Sequence, residues 1–215
     1  MVRNLKNIDY WESLLNDLDP EYKKWFQKEA DYLRKNITKN SKVLEVGCGE
    51  GRSLRDILPV SKNLTGVDSD KKAVKDAKNH FKNNPTVKIL LADAIKLPFK
   101  DKEFDFVLCL TTFANFGTKK YKALGEMKRV LKDDGRVIIS VFSEDALEIR
   151  LRVYNKFGQK IKAINNGKVV FDEKWEDNVS EQFSEKELRD IFKKVKLIVV
   201  EIVKLNMAYL CKLKK

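Results

Sequence analysis

Histidine is nearly missing from this chain: His80 stands alone among 215 residues. It falls at the end of a predicted helix, in Asn79-His80-Phe81-Lys82, so a solvated helix-end role is expected rather than that of a catalytic base. Cysteine is also scarce. Cys48, Cys109 and Cys211 are odd in number and form no Cys-x-x-Cys pair, which excludes a disulfide frame or a zinc site and leaves reduced thiols. No metal site is expected. No apolar run approaches the roughly 20 residues of a bilayer-spanning helix, and Met1-Val2-Arg3-Asn4-Leu5-Lys6 leads into polar and aromatic residues rather than an apolar signal core. A cytoplasmic protein is the expectation. An arginine-rich block is absent, as is an RNA-binding signature. The net charge of +12 is mostly lysine spread along the whole chain, so a nucleic-acid partner is open but not favoured.

What is present is a patterned α/β chain. Tyr10, Trp11, Leu14, Leu15 and Leu18 repeat at helical spacing, and after Pro20 so do Tyr22, Trp25, Phe26, Ala30 and Leu33. From residue 42 short apolar runs alternate with polar helices. Strands are predicted at 42–47, 63–68, 87–92, 104–110 and 135–142, and helices at 52–58, 70–83 and 119–131. This order predicts a parallel sheet covered on both faces. Further on, Asn165-Asn166-Gly167 between alternating residues signals a hairpin. Ser184 with Glu187 forms a capping box for a helix over 185–194, and strands at 195–203 and 205–213 are close enough to pair antiparallel. The expected organisation is one domain: a helical cap over 1–40, a ligand-binding core over 41–142, an insertion over 143–183, and a terminal helix and strand hairpin over 184–215.

The most informative stretch is Val43-Leu44-Glu45-Val46-Gly47-Cys48-Gly49-Glu50-Gly51-Arg52. It predicts a buried strand running into a glycine turn where backbone can approach a ligand closely. Asp68 follows at the distance expected for an acid on the next strand of a nucleotide-binding βαβ unit. A dinucleotide site would require a small residue where Arg52 stands, so a nucleoside ligand without a pyrophosphate fits better. A dehydrogenase is therefore a distant alternative. Cys48 within the turn serves packing or spacing, since no histidine is positioned to activate it.

With these residues the chain resembles the class I S-adenosylmethionine-dependent methyltransferases, of the small-molecule, UbiE-like group, strongly over residues 40–142 and by topology elsewhere. The resemblance implies a Rossmann-like doubly wound seven-stranded sheet, mostly parallel with a C-terminal antiparallel hairpin, and S-adenosylmethionine as cofactor, leaving S-adenosylhomocysteine as product. It implies a cofactor site at Glu45, Gly47, Cys48, Gly49, Gly51 and Arg52. Asp68 and Ser69 fall at the ribose, Asp93 and Ala94 near the adenine, and Leu110 and Thr111 beside the methyl donor. Leu131-Lys132-Asp133-Asp134-Gly135-Arg136-Val137 matches the turn into strand five. Carboxylates suit ribose hydroxyls, an exocyclic amine and a cationic ligand. Methyl transfer from a sulfonium needs chiefly alignment and exclusion of water, so a small nitrogen, sulfur or carbon acceptor is expected. The loop Leu110-Thr111-Thr112-Phe113-Ala114-Asn115-Phe116 lacks the Asn/Asp-Pro-Pro-Tyr of base-amine and glutamine methyltransferases, and the paired-glutamate loop of arginine methyltransferases is absent. Tyr10, Trp11, Trp25, Phe113, Asn115, Phe142 and Trp175 are candidates for the acceptor pocket. An RNA methyltransferase and a non-catalytic S-adenosylmethionine-binding module are the alternatives. The sequence gives no oligomeric state and no catalytic base.

Overall fold

The structure, a computed structural model, describes residues 19–172 and 179–215. Tyr10, Trp11, the predicted helix over residues 8–18 and Trp175 lie outside the described residues.

The chain enters with α1 (Pro20–Asn36), whose N-cap Asp19 accepts a hydrogen bond from the Glu21 amide and whose first position is proline. Its buried stripe carries Tyr22, Trp25, Phe26, Ala30 and Leu33 as expected, and also Glu29. Alternation then builds β1 (Lys42–Val46), α2 (Arg52–Ile57), β2 (Asn63–Asp68), α3 (Lys71–His80), β3 (Val87–Leu91), β4 (Phe104–Leu110), α4 (Lys120–Val130) and β5 (Leu131–Phe142). The strands and helices predicted over residues 42–142 are all found. β5 starts earlier than expected, at Leu131, with an irregular register against β4. Gly135 lies in this stretch, and a Cβ there would press on the Asp105 carbonyl and the Leu131 side chain.

The seven-stranded sheet has the order β3-β2-β1-β4-β5 followed by two strands from the C-terminus, β10 (Ala208–Lys214) and β9 (Ile198–Leu205). The first five strands are parallel, and β10 runs antiparallel to both β5 and β9. The order reverses between β1 and β4, the crevice where open α/β sheets bind ligands. Successive strand residues point to opposite faces. Val43, Leu108 and Ile138 pack under α1, α2 and α3, while Leu44, Cys109 and Ile139 pack under α4 and α6 (Glu185–Lys194). α6 has the predicted bounds, and both hydrogen bonds of the Ser184–Glu187 capping box form. The final turn falls at Asn206-Met207 rather than near residue 204. Asn206 takes a left-handed conformation (φ 56°), which asparagine tolerates in tight turns.

The region between β5 and α6 holds more structure than a hairpin. It contains α5 (Leu147–Lys156) and a second, three-stranded antiparallel sheet of β6 (Ile161–Asn165), β7 (Lys168–Phe171) and β8 (Val179–Ser180). Asn166 and Gly167 both have positive φ, as the Asn-Gly turn requires.

Candidate functional site

The glycine turn joins β1 to α2 at the sheet's strand-order reversal. Its start is pinned: the amides of Gly47 and Cys48 both donate to the Val67 carbonyl, at 2.8 and 3.0 Å. Packing explains two of its glycines. A Cβ on Gly47 would collide with the Thr112 side chain, and one on Gly51 with the Phe81 ring. Gly49 differs. It has φ +51°, and a Cβ there would meet nothing within 4 Å. The turn is crowded on both shoulders and open at its middle. Cys48 is buried, and burial beside Glu45 and Asp68 pushes its thiol well above the ordinary range, which suits a packing role. His80 is exposed and its Nδ1 is hydrogen-bonded to the Glu50 carbonyl at 3.1 Å, so it props the turn from behind.

Acids end the adjoining strands. Glu45, buried near the end of β1, accepts a hydrogen bond from the Ser53 hydroxyl through Oε1, while Oε2 has no partner among the described residues. Burial pushes the Glu45 carboxyl up to about 8. Arg52, a candidate partner for Glu45, instead pairs with Glu29 at 2.5 Å and Asp56 at 3.3 Å, and stacks 4.1 Å over the Phe26 ring. Asp68, at the end of β2, accepts from the Gly49 amide at 2.8 Å and the Asp70 amide at 2.9 Å. A carboxylate has about four acceptor positions, so these two amides do not exhaust it. Burial raises its pKa despite these amides. Ser69 is exposed beside it. Asp93, just past β3, is exposed and caps a turn by accepting from the Ile95 amide, with Ala94 half-buried at its side. At the end of β4, Leu110 is buried. Thr111 takes a left-handed conformation (φ 60°), held by its amide donating to the Ser140 carbonyl and hydroxyl. A strained threonine at the switch-point edge is the kind of feature that clusters at binding sites. Glu45, Asp68, Asp93 and Thr111 thus sit at or just past the same ends of the neighbouring parallel strands β1, β2, β3 and β4, with Asp68 bonded to the Gly49 amide.

Residues 44–139 match the methyltransferase domain family. The chain is 32% identical over 160 residues to the uncharacterized protein MJ1252 of Methanocaldococcus jannaschii, covering 74% of this chain and 59% of that protein. It is 28% identical over 161 residues to the demethylmenaquinone methyltransferase of Staphylococcus aureus, covering 71% and 64%. Its fold is similar to that of the Burkholderia thailandensis 1,6-didemethyltoxoflavin-N1-methyltransferase, solved with its substrate and S-adenosylhomocysteine. There the TM-score is 0.71 at 16% identity, over 96% of this chain and 84% of that one. Over that matched segment, a little under half of its length, the chain carries a methyltransferase domain of the S-adenosylmethionine-dependent type. It spans only about three-fifths of the length of the curated relatives it matches first.

The methyltransferase cofactor, S-adenosylmethionine, fits what is present. It carries a cation at the sulfonium and another at the amine, and the turn offers an unpartnered buried carboxylate oxygen and a glycine with open space where a Cβ would stand. Among the described residues, no group of three His, Cys, Asp or Glu side chains is placed to hold a metal ion, and no helix is long and apolar enough to cross a membrane.

On the acceptor side the methyltransferase residues divide. Trp25 and Phe142 meet with ring centroids 5.3 Å apart, beside Tyr22, where the cap helix crosses the end of β5. Phe113 points the other way: it is fully buried among Phe116, Phe183 and Phe192, on the α6 side of the sheet. Asn115 is exposed. Sequence reasoning missed Glu29, Ser53 and Thr112. Glu29 had a signal, because it interrupts the apolar stripe of α1 between Trp25 and Leu33, where a charge is costly unless it is used.

Proposed function

We propose that this chain binds S-adenosylmethionine and transfers its methyl group to a small-molecule nitrogen, sulfur or carbon acceptor by in-line displacement. The observation that carries the reading is the row of acids at the ends of three neighbouring strands, Glu45, Asp68 and Asp93, beside a glycine turn whose middle position is open. In this reading the turn from Gly47 to Arg52 receives the methionine portion, with Cys48 and Gly51 holding its shape. Asp68 and Ser69 take the ribose hydroxyls, Asp93 and Ala94 border the adenine, and Leu110 and Thr111 line the donor side. When bound, the cofactor supplies an already activated methyl group. The chain's own task is to align the acceptor and keep water out, which the Trp25–Phe142 cluster at the end of β5 suits. The 28% identity to a demethylmenaquinone methyltransferase supports a small acceptor.

Titration calorimetry with S-adenosylhomocysteine tests the reading. Wild-type protein binds it, and Asp68→Ala weakens binding at least tenfold, by about 1.4 kcal/mol or more, through loss of charge-assisted hydrogen bonds. Absence of binding to wild-type protein would overturn the proposal. The charge of +12 favours one second reading, methylation of RNA. Tight, salt-dependent RNA binding together with methyl incorporation into RNA rather than small acceptors would establish it.

A further inference from the structure

Arg150 is wholly buried, and its four hydrogen bonds all go to neutral groups: the Gly167 and Ser180 carbonyls, the Gln182 side chain and the Tyr154 hydroxyl. These dipoles satisfy its N–H groups but carry no charge to cancel its own. The acids around it are engaged elsewhere or face water. Glu144 and Asp145 are exposed and both meet Lys204. Glu148 is exposed, Asp19 pairs with Arg152, and Glu181 pairs with Lys120. At the glycine turn, Glu29 and Asp56 are matched by Arg52 and Arg34, while burial keeps the Glu45 carboxyl protonated. Among the described residues, Arg150 therefore holds a buried positive charge without a counter-ion.

That charge lies next to the wall assigned above to the methyl acceptor. The guanidinium stands 4.7 Å over the Phe142 ring, and the same ring meets Trp25 at 5.3 Å between centroids. Trp25 is 1% exposed, yet its indole N–H has no hydrogen-bond partner among the described residues. Indole nitrogen only donates, and a buried donor without an acceptor is costly. The wall thus joins an idle N–H to an uncancelled positive field. A neutral apolar molecule answers neither want, and an organic anion answers both.

We propose that the acceptor is a weak acid bound as its anion, with its charge delocalised onto an oxygen that accepts from the Trp25 indole N–H. This rests on the methyltransferase reading above and narrows its acceptor class. Arg150 does not touch the acceptor; it acts from within the scaffold, through its charge. A cation close by in a low-dielectric site favours the deprotonated form. The acceptor gives up its N–H, S–H or C–H proton to water on binding, and no general base is required. In the transfer, the anionic nitrogen, sulfur or carbon bonds to the methyl carbon as the methyl–sulfur bond breaks. The electron pair of that bond stays on sulfur. The negative charge of the acceptor and the positive charge of the sulfonium cancel, leaving a neutral methylated product and S-adenosylhomocysteine.

The test uses 4-nitrophenol, whose anion is coloured, and 4-nitroanisole, its uncharged methyl ether. Each is titrated into protein saturated with S-adenosylhomocysteine, at high salt to screen the surface lysines. Wild-type protein is expected to bind the nitrophenol anion about tenfold more tightly than the neutral phenol, so that colour develops on binding at a pH where the free probe is mostly protonated. Nitroanisole should bind at least tenfold more weakly than the anion. Trp25→Phe should weaken the anion several-fold and change nitroanisole little. Arg150→Met should abolish the preference for the anion, with S-adenosylhomocysteine binding as the check that each variant is folded. If Arg150→Met does not fold, wild-type protein and Trp25→Phe still decide the matter. Binding of nitroanisole as tight as that of the anion, loss of colour on binding, or binding of neither probe would overturn the proposal. Failure of wild-type protein to bind S-adenosylhomocysteine would remove the methyltransferase reading beneath it.

Discussion

Two arginines, Arg52 half-buried and Arg150 fully buried, solve opposite problems. Arg52 lies among carboxylates, bonded to Glu29 and Asp56 and stacked on Phe26. Arg150, on α5, is fully buried with no carboxylate partner among the described residues. Its guanidinium donates to the carbonyls of Gly167 (2.9 Å) and Ser180 (2.6 Å), to the Gln182 side chain (2.8 Å) and to the Tyr154 hydroxyl, and lies 4.7 Å over the Phe142 ring. Neutral dipoles and an aromatic face thus replace a counter-ion. Arg150 has its polar needs met from several elements at once, which makes it a clamp fastening the three-stranded sheet to the main one. The Arg52 cluster is unfinished: Glu29 and Glu45 each keep one buried carboxyl oxygen with no hydrogen-bond partner among the described residues, as a place that takes a ligand would. A satisfied buried charge marks scaffold, and an unsatisfied one marks a site.

The largest expected effect falls on the clamp. Arg150→Met should cost about 3 kcal/mol, because the Gly167 and Ser180 carbonyls lose their donors inside the protein. Urea unfolding measures this, and S-adenosylhomocysteine affinity of the folded fraction should stay near wild type. A stable variant with lost affinity would reverse the assignment and make Arg150 a site residue.

The glycine turn carries the same contrast on a smaller scale. Gly47→Ala forces a methyl group into Thr112 at a positive φ, so a loss of about 2 kcal/mol is expected. Gly49→Ala meets no protein atom and should cost about 1 kcal/mol for its left-handed backbone alone. Its affinity for S-adenosylhomocysteine should nonetheless fall tenfold or more, since the methyl group would occupy the open space the ligand needs. Stability and affinity measured on the pair separate crowding from vacancy. Equal affinity in Gly49→Ala and wild type would sink the contrast.

Much of this was legible in the sequence, for a physical reason. The central parallel strands β1, β2 and β4 are largely buried on both faces, so they appear as short apolar runs, and the Ser184 capping box fixes α6 to the residue. The acids at the strand ends were legible because they interrupt those runs. Helix α5 was not, because its buried face contains Arg150, which breaks the apolar period. The burial of Phe113 was not legible either. A loop aromatic after β4 can turn to either face of the sheet, and only the packing of Phe183 and Phe192 decides which. Glu29 marks the same limit from the other side. Its place on the buried stripe could be read, but its pairing with Arg52, 23 residues away, depends on how α1 is laid across α2.

The finest readout, a fraction of a proton, tests whether Glu45 belongs to the unfinished class. Burial holds its folded-state carboxyl near 8 against an ordinary value of 4.5, so the native protein keeps a proton that the unfolded chain gives up. Where the native state binds more protons, stability falls as pH rises. The contribution of Glu45 is therefore complete below about pH 4.5 and gone above about pH 8. The ion-paired acids Glu103, Asp105 and Glu126, whose values are lowered, act in the opposite sense and at more acid pH. Wild-type protein should lose up to about 2 kcal/mol between about pH 6 and about pH 8, and Glu45→Gln should lose much less. A cationic ligand beside Glu45 favours its ionised form, so binding should expel the proton. Calorimetry at about pH 7 in buffers of different ionisation enthalpy should register release of a fraction of a proton in wild type and none in Glu45→Gln. No release in wild-type protein would mean that the cation rests elsewhere, and that the free oxygen of Glu45 is scaffold after all.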